Sequence, residues 1–164
     1  MTPNAQSSAG KTVGAYMKSL WIIFLALATG VLSATVLLYT LSEGPTPDTE
    51  ELYVYIGFGI AMVSGLGGLF FFRQLLVNAQ GQPTLSSKLD AYMKAYLVIL
   101  ATFEGASLLN MVLYFINGNS GNFFVGLAMA VVMLTRYPSK VQIGSALQLS
   151  DREQSQLNKD DVVL

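Results

Sequence analysis

The stretch "YLVILATFEGASLLNMVLYFI", residues 96–116, decides the fold. Its 21 residues carry a single charge, Glu104, and otherwise read as protein that faces hydrocarbon. A helix of roughly 20 apolar residues is long enough to cross a bilayer. Three other segments share that character: "SLWIIFLALATGVLSATVLLYTL" (19–41), "LYVYIGFGIAMVSGLGGLFFF" (52–72) and the shorter "NFFVGLAMAVVMLTRY" (122–137). The expectation is an all-α integral membrane protein, four transmembrane helices packed as a bundle.

Composition agrees. Of the 164 residues 52% are hydrophobic and only 12% charged, against about a quarter charged in soluble domains. That is too little charge to coat a water-facing surface, and the mean hydropathy is +0.51. The net charge of −1 and the lack of a basic run give no nucleic-acid footprint. There is no Cys, which removes thiol catalysis and disulfides, and no His, the usual general base and metal ligand. No phosphate-binding or nucleophile-elbow motif is present. "GLGG" (65–68) falls inside a span, and no second membrane carboxylate joins Glu104. No enzyme, cofactor or metal site is read here.

The polar segments divide the chain. Residues 1–18 read as a flexible cytoplasmic tail, 19–137 as the membrane domain, and 138–164 as a cytoplasmic tail. In that last tail "SDRE" (150–153) fits a capping box and opens a short helix. "SEGPTPDTEE" (42–51) reads as a loop and "NGNSGN" (117–122) as a tight polar turn. The longer connection "RQLLVNAQGQPTLSSKLDAYMK" (73–94) carries a helical extension of the second span. All nine Lys and Arg lie before span one, between spans two and three, or at and beyond the end of span four. The positive-inside rule then puts both termini and the middle connection in the cytoplasm, in a cell (inner) membrane. Span one is too long for a cleaved signal peptide.

"AYMK" occurs at 15–18 and again at 91–94, each time ahead of a span. The 76-residue offset pairs Leu32 with Leu108 and Val36 with Val112. Two tandem helical hairpins in the same orientation follow, with Ala28 where the second copy has Glu104. Spans associate through close packing and interhelical hydrogen bonds, because lipid is as apolar as Leu. Rows of small residues offer that contact: Ala26, Gly30 and Ala34 on span one, and Gly57, Ala61 and Gly65 on span two, with Ser64 and Gly68 alongside. Ala101 and Gly105 on span three, and Gly126 and Ala130 on span four, do the same.

Glu104 lies near the bilayer midplane, about 3 Å to the cytoplasmic side at 1.5 Å rise per residue. The nearest cation along the chain is Lys94. A lone ionisable group at that depth is costly when charged and marks function by default. The expectation is a neutral carboxyl that donates a hydrogen bond, with Ser107 and Asn110 completing a candidate proton or ion site on one slow spiral. Thr29, Ser33 and Ser64 are candidate partners across the bundle. Two readings stay open: a proton- or cation-linked module, or a structural or assembly subunit whose acid only fixes helix packing. Either one has the lipid bilayer as its surroundings and a homo-oligomer or a larger membrane complex as its setting.

Residues 57–118 resemble the hairpin of the proteolipid c subunits of rotary ATPases. The corresponding parts are "GFGIAMVSGLGG", then "RQLLVNAQGQP", then "ILATFEGASLLNMVLYF". The resemblance implies that Glu104 carries the ion. In the four-helix vacuolar type the acid is on the last helix, and here it is on the third. The chain also resembles small four-span bacterial membrane proteins with an Arg-x-Pro tail, here "RYPSK" (136–140).

Overall fold

The computed structural model describes residues 12–42 and 51–164, and the regular structure among them is helical. Four helices make the bundle: α1 (Val13–Leu41), α2 (Leu52–Gln80), α3 (Leu85–Asn117) and α4 (Ser120–Leu134). Two short ones, α5 (Lys140–Leu147) and α6 (Asp151–Asn158), fold against one end of it. α1, α2 and α3 are each long and apolar enough to cross a membrane; α4, with 15 residues, is a shorter apolar helix. Most of the acidic loop expected at 42–51, and residues 1–11 of the expected N-terminal tail, lie outside the described residues.

The helices outrun the apolar windows that announced them. α1 begins at Val13, not 19, because the Thr12 side chain caps it by accepting from the Ala15 N–H at 3.2 Å. α2 runs on through "RQLLVNAQ", where Leu76 and Ala79 still pack inward. α3 starts at Leu85 with a capping box between Thr84 and Ser87. The connection between them is therefore only residues 81–84. Hydropathy reports which residues tolerate lipid, and a helix of good formers continues past that limit. At the other end Gly118 takes the left-handed conformation, φ 68°, and its N–H closes α3 onto the Tyr114 carbonyl at 2.7 Å.

α3 is the central helix and touches α1, α2, α4 and α5. α3 and α4 pack as an antiparallel pair, whereas α1 and α2 have no extensive contact with each other. The two-hairpin arrangement expected from "AYMK" is therefore not how the helices pack. The reason is visible at the contacts. α2 meets α3 through small residues: a Cβ at Gly57 would run into the Asn110 and Asn122 side chains, and one at Gly68 would lie 2.9 Å from Thr102 Cγ2. α1 instead buries bulk, with Tyr16, Leu20, Phe24 and Val31 against α3 and its neighbours. Across α3 and α4 a Cβ at Gly126 would lie 3.0 Å from the Ser107 carbonyl oxygen.

The last 25 residues are not a free tail. Ile143, Leu147 and Leu157 are fully buried against the end of the bundle. The chain then returns to α1, where the Val162 and Asp160 carbonyls accept from the Val13 and Gly14 N–H groups at 3.0 Å each. Those are first-turn donors that a helix cannot satisfy internally. Lys88 pairs with Glu153 at 2.7 Å and Lys140 with Asp160 at 2.6 Å, tying both short helices down. Ser150 and Glu153 form a capping box at the start of α6.

On the outside the pattern inverts. Ile22, Leu25, Val36, Phe58, Val63, Leu66, Phe70 and Val112 are exposed along the long helices. A soluble monomer rarely shows so continuous an apolar surface. Lipid is the solvent that suits it.

Candidate functional site

The three residues expected to share a site on α3 part company. Ser107 is fully buried, and its hydroxyl donates to the Gly126 carbonyl of α4 at 2.8 Å. Asn110 is also fully buried. Its amide donates to the Ala106 carbonyl at 2.9 Å and to the Gly57 carbonyl of α2 at 3.2 Å. Its oxygen accepts from Asn122 of α4 at 3.4 Å. Glu104 turns the other way, toward α1, and is only half-buried.

Asn110 belongs to a cluster of asparagines that the sequence reading did not assemble. The Asn122 amide also donates to the Tyr53 carbonyl at 3.0 Å, and its oxygen accepts from Asn117 at 3.2 Å. The Asn117 oxygen in turn accepts from the Asn119 N–H at 2.7 Å. The cluster thus joins α2, α3 and α4 through their backbones and buried amides. A neutral amide offers two donors and an acceptor, so it can bridge three helices without the cost of burying a charge. One signal was present: Asn110 and Asn117 are seven residues apart, on one face of a helix, and Asn122 follows in the turn reading.

Glu104 has a different setting. It faces α1 where Gly30 leaves room; a Cβ there would be 3.8 Å from its Oε1. Among the described residues no hydrogen bond or ion pair engages its carboxyl, the ion pairs being Lys88–Glu153 and Lys140–Asp160. Thr29 and Ser33 are exposed on α1, Ser64 is half-buried on α2, and none of them bonds to it. The cation Arg136 packs over the ring of Phe103, guanidinium carbon 6.0 Å from the centroid, and makes no ion pair with the acid.

The small-residue rows also divide. Gly57 and Ala61 are buried at the α2 contact, but Gly65 meets nothing within 4 Å and the close approach falls at Gly68 instead. On α1 Ala26 and Gly30 are exposed and Ala34 is half-buried, so this row is not the face that packs on α3. On α3 Ala101 and Gly105 are likewise exposed, with open space around a Cβ at Gly105. Spacing showed that small residues share a face, not which face meets a neighbour.

The geometry therefore separates two kinds of polar group. The asparagines and Ser107 have their donors consumed inside the bundle, and their chemistry is cohesion. Glu104 lies between α1 and α3, flanked by exposed small residues, with its carboxyl uncommitted among the described residues. Comparison with protein-family models, curated protein sequences and solved structures finds no match to this chain.

Proposed function

We propose that this chain is an integral membrane module that works as an oligomer, with Glu104 as the protonatable group where copies meet. The observation that carries the reading is the half-buried carboxyl of Glu104, without a partner among the described residues and bordered by Gly30 and Gly105. A carboxyl at such depth is costly to leave unpaired. Exposed small residues on both adjoining helices let another helix come close. A protonated Glu104 donates to an acceptor on the neighbouring copy, and in a two-fold symmetric contact the neighbour's Glu104 is the natural counterpart. In this reading α4 crosses the bilayer with the longer helices, and the end carrying Arg73, Lys88, Lys94 and Arg136 faces the cytoplasm. The inner (cell) membrane is the setting.

The reading includes no solute path through the bundle interior, whose buried amide and hydroxyl donors bind helix to helix. Linkage to protons follows from the same carboxyl, because charging it removes the donor and weakens the contact. The purely structural alternative keeps the contact but not the titration.

Self-association in lipid vesicles tests it, read by energy transfer between labelled copies. A hydrogen bond between membrane helices contributes about 1–2 kcal/mol in model peptides, so Glu104→Leu should weaken association by about tenfold, 1.4 kcal/mol being a factor of ten. Glu104→Gln, which still donates, should retain most of it and lose the dependence on pH. Undiminished association of Glu104→Leu contradicts the proposal. A Gln variant that keeps the wild-type pH response shows that Glu104 does not titrate.

A further inference from the structure

At the end of the bundle where α5 folds across, a cavity of about 440 Å³ opens between α2, α3, α5 and the end of α4. Phe72, Tyr92, Tyr96 and Ile99 wall it, and Arg136, Gln142 and Ser145 bring polar groups to it. The volume lies within the range of small-molecule sites, and an apolar wall with a few converging polar groups is their usual make-up.

Arg136 is the unusual member. No acid pairs with it among the described residues, its Nε is closed off from solvent and donates to nothing, and its guanidinium rests on Phe103. Two other cations at this end, Lys88 and Lys140, are already neutralised by Glu153 and Asp160. Tyr96 spends its hydroxyl on the Arg136 carbonyl at 2.7 Å, which fixes the backbone that carries the guanidinium. Tyr92 stacks on Tyr96 with centroids 5.9 Å apart, and its own hydroxyl has no partner among the described residues. An unpaired guanidinium beside a free phenol is a donor set for a phosphate, because the planar fork meets two of its oxygens at once.

The surroundings say where the phosphate comes from. Val141, 74% exposed, forms an apolar lip on α5. Tyr137, next to Arg136, lies 6.5 Å from Trp21, and both are exposed as interfacial aromatics are. The cavity is large enough for a headgroup and too small for two acyl chains, which would remain along the exposed apolar flank.

We propose that this cavity is a binding site for the phosphate headgroup of an anionic phospholipid, held by Arg136 with Tyr92 as a second donor. It is separate from Glu104 and does not depend on the oligomer. The test uses the full chain in mild detergent and native mass spectrometry of bound lipid. Dioleoylphosphatidylglycerol and dioleoylphosphatidylcholine compete, and glycerol 3-phosphate serves as a soluble headgroup. The wild type should favour the anionic lipid by about fivefold to tenfold, the scale of one well-placed Arg at a membrane surface. Arg136→Gln should abolish that preference. Ser145→Trp, which fills the cavity and leaves the charge, should lower retention of both lipids. Equal retention of the two lipids by the wild type overturns the proposal, as does an unchanged preference in Arg136→Gln. Displacement of the lipid by glycerol 3-phosphate overturns the lipid assignment in favour of a soluble phosphate ester. Should Arg136→Gln fail to fold by circular dichroism, Ser145→Trp decides alone, and unaltered retention refutes the site.

Discussion

Gly57→Ala is the sharpest perturbation of the bundle. The added Cβ would fall on the Asn110 oxygen and the Asn122 amide, closer than any real contact, so something must shift. Neither side chain is a loose end: Asn110 is held by the Ala106 and Gly57 carbonyls and Asn122 by Tyr53 and Asn117. The cost has two parts. Overpacking by one methyl in a tight contact costs about 1–3 kcal/mol. Loss of the Asn110–Gly57 bond adds about 0.6 kcal/mol, the average for such bonds in a membrane protein. Ala is a better helix former than Gly by about 1 kcal/mol, which works in the opposite direction. The net expectation is a destabilisation of about 0.5–2.5 kcal/mol. Gly59→Ala is the matched control on the same helix, because a Cβ there meets nothing within 4 Å. It should be neutral or stabilising by up to about 1 kcal/mol. Unfolding in mixed detergent micelles, followed by circular dichroism, measures both. Equal stability of the two variants would refute the claim that the asparagine cluster closes α2 onto α3.

Other expectations follow from the same contacts. Asn110→Ala leaves the Gly57 carbonyl and an Asn122 donor without their partner, and should cost about 1–3 kcal/mol in the same unfolding assay. Ser107→Ala removes one bond to Gly126 and should cost about 1 kcal/mol. Leu157→Ala empties a fully buried position under α6; it should loosen the C-terminal segment by about 2–5 kcal/mol, seen as faster proteolysis after residue 139 with the bundle intact. The Lys88 hydrogen bond, then the Ser150 N–H, hold the Glu153 carboxyl down to about 2 from an ordinary 4.5. A depressed carboxylate stabilises fully above its unfolded value and loses that contribution as pH falls through the folded one. Protection of α6 amides from hydrogen exchange should therefore be constant above about pH 5 and drop toward pH 2. The pair is partly open to solvent, so about 1 kcal/mol is at stake. Lys88→Gln should move that drop to higher pH.

Hydropathy located the three long helices well, because a lipid-facing residue and an apolar residue are nearly the same thing. It said little about where they stop. Residues 73–80 are polar enough to leave the bilayer, yet Leu76 and Ala79 still pack inward, so α2 continues there. The repeat of "AYMK" at 15–18 and 91–94 suggested two matching hairpins. It could not show that α3 lies between α1 and α2, since that depends on which helix presents glycine and which presents bulk. The candidate site shows the same divide. Glu104 was conspicuous as a charge in apolar sequence, while Asn117 and Asn122 looked like turn residues and only the fold brings them to Asn110. Ser107 and Glu104 are three positions apart, a spacing that implies a shared face. The roughly 60° between them suffices to point one at α4 and the other at α1.

Because the sequence contains no Cys, a single substitution gives a clean reporter of how copies meet. Gly105→Cys places a thiol in open space beside Glu104, and Val63→Cys places one on an exposed position of α2. Oxidative cross-linking in native membranes should join copies through residue 105, not through residue 63, and adding Glu104→Leu should suppress the product. Cross-linking that is equal at the two positions, or indifferent to Glu104, would contradict a contact between copies built on that carboxyl.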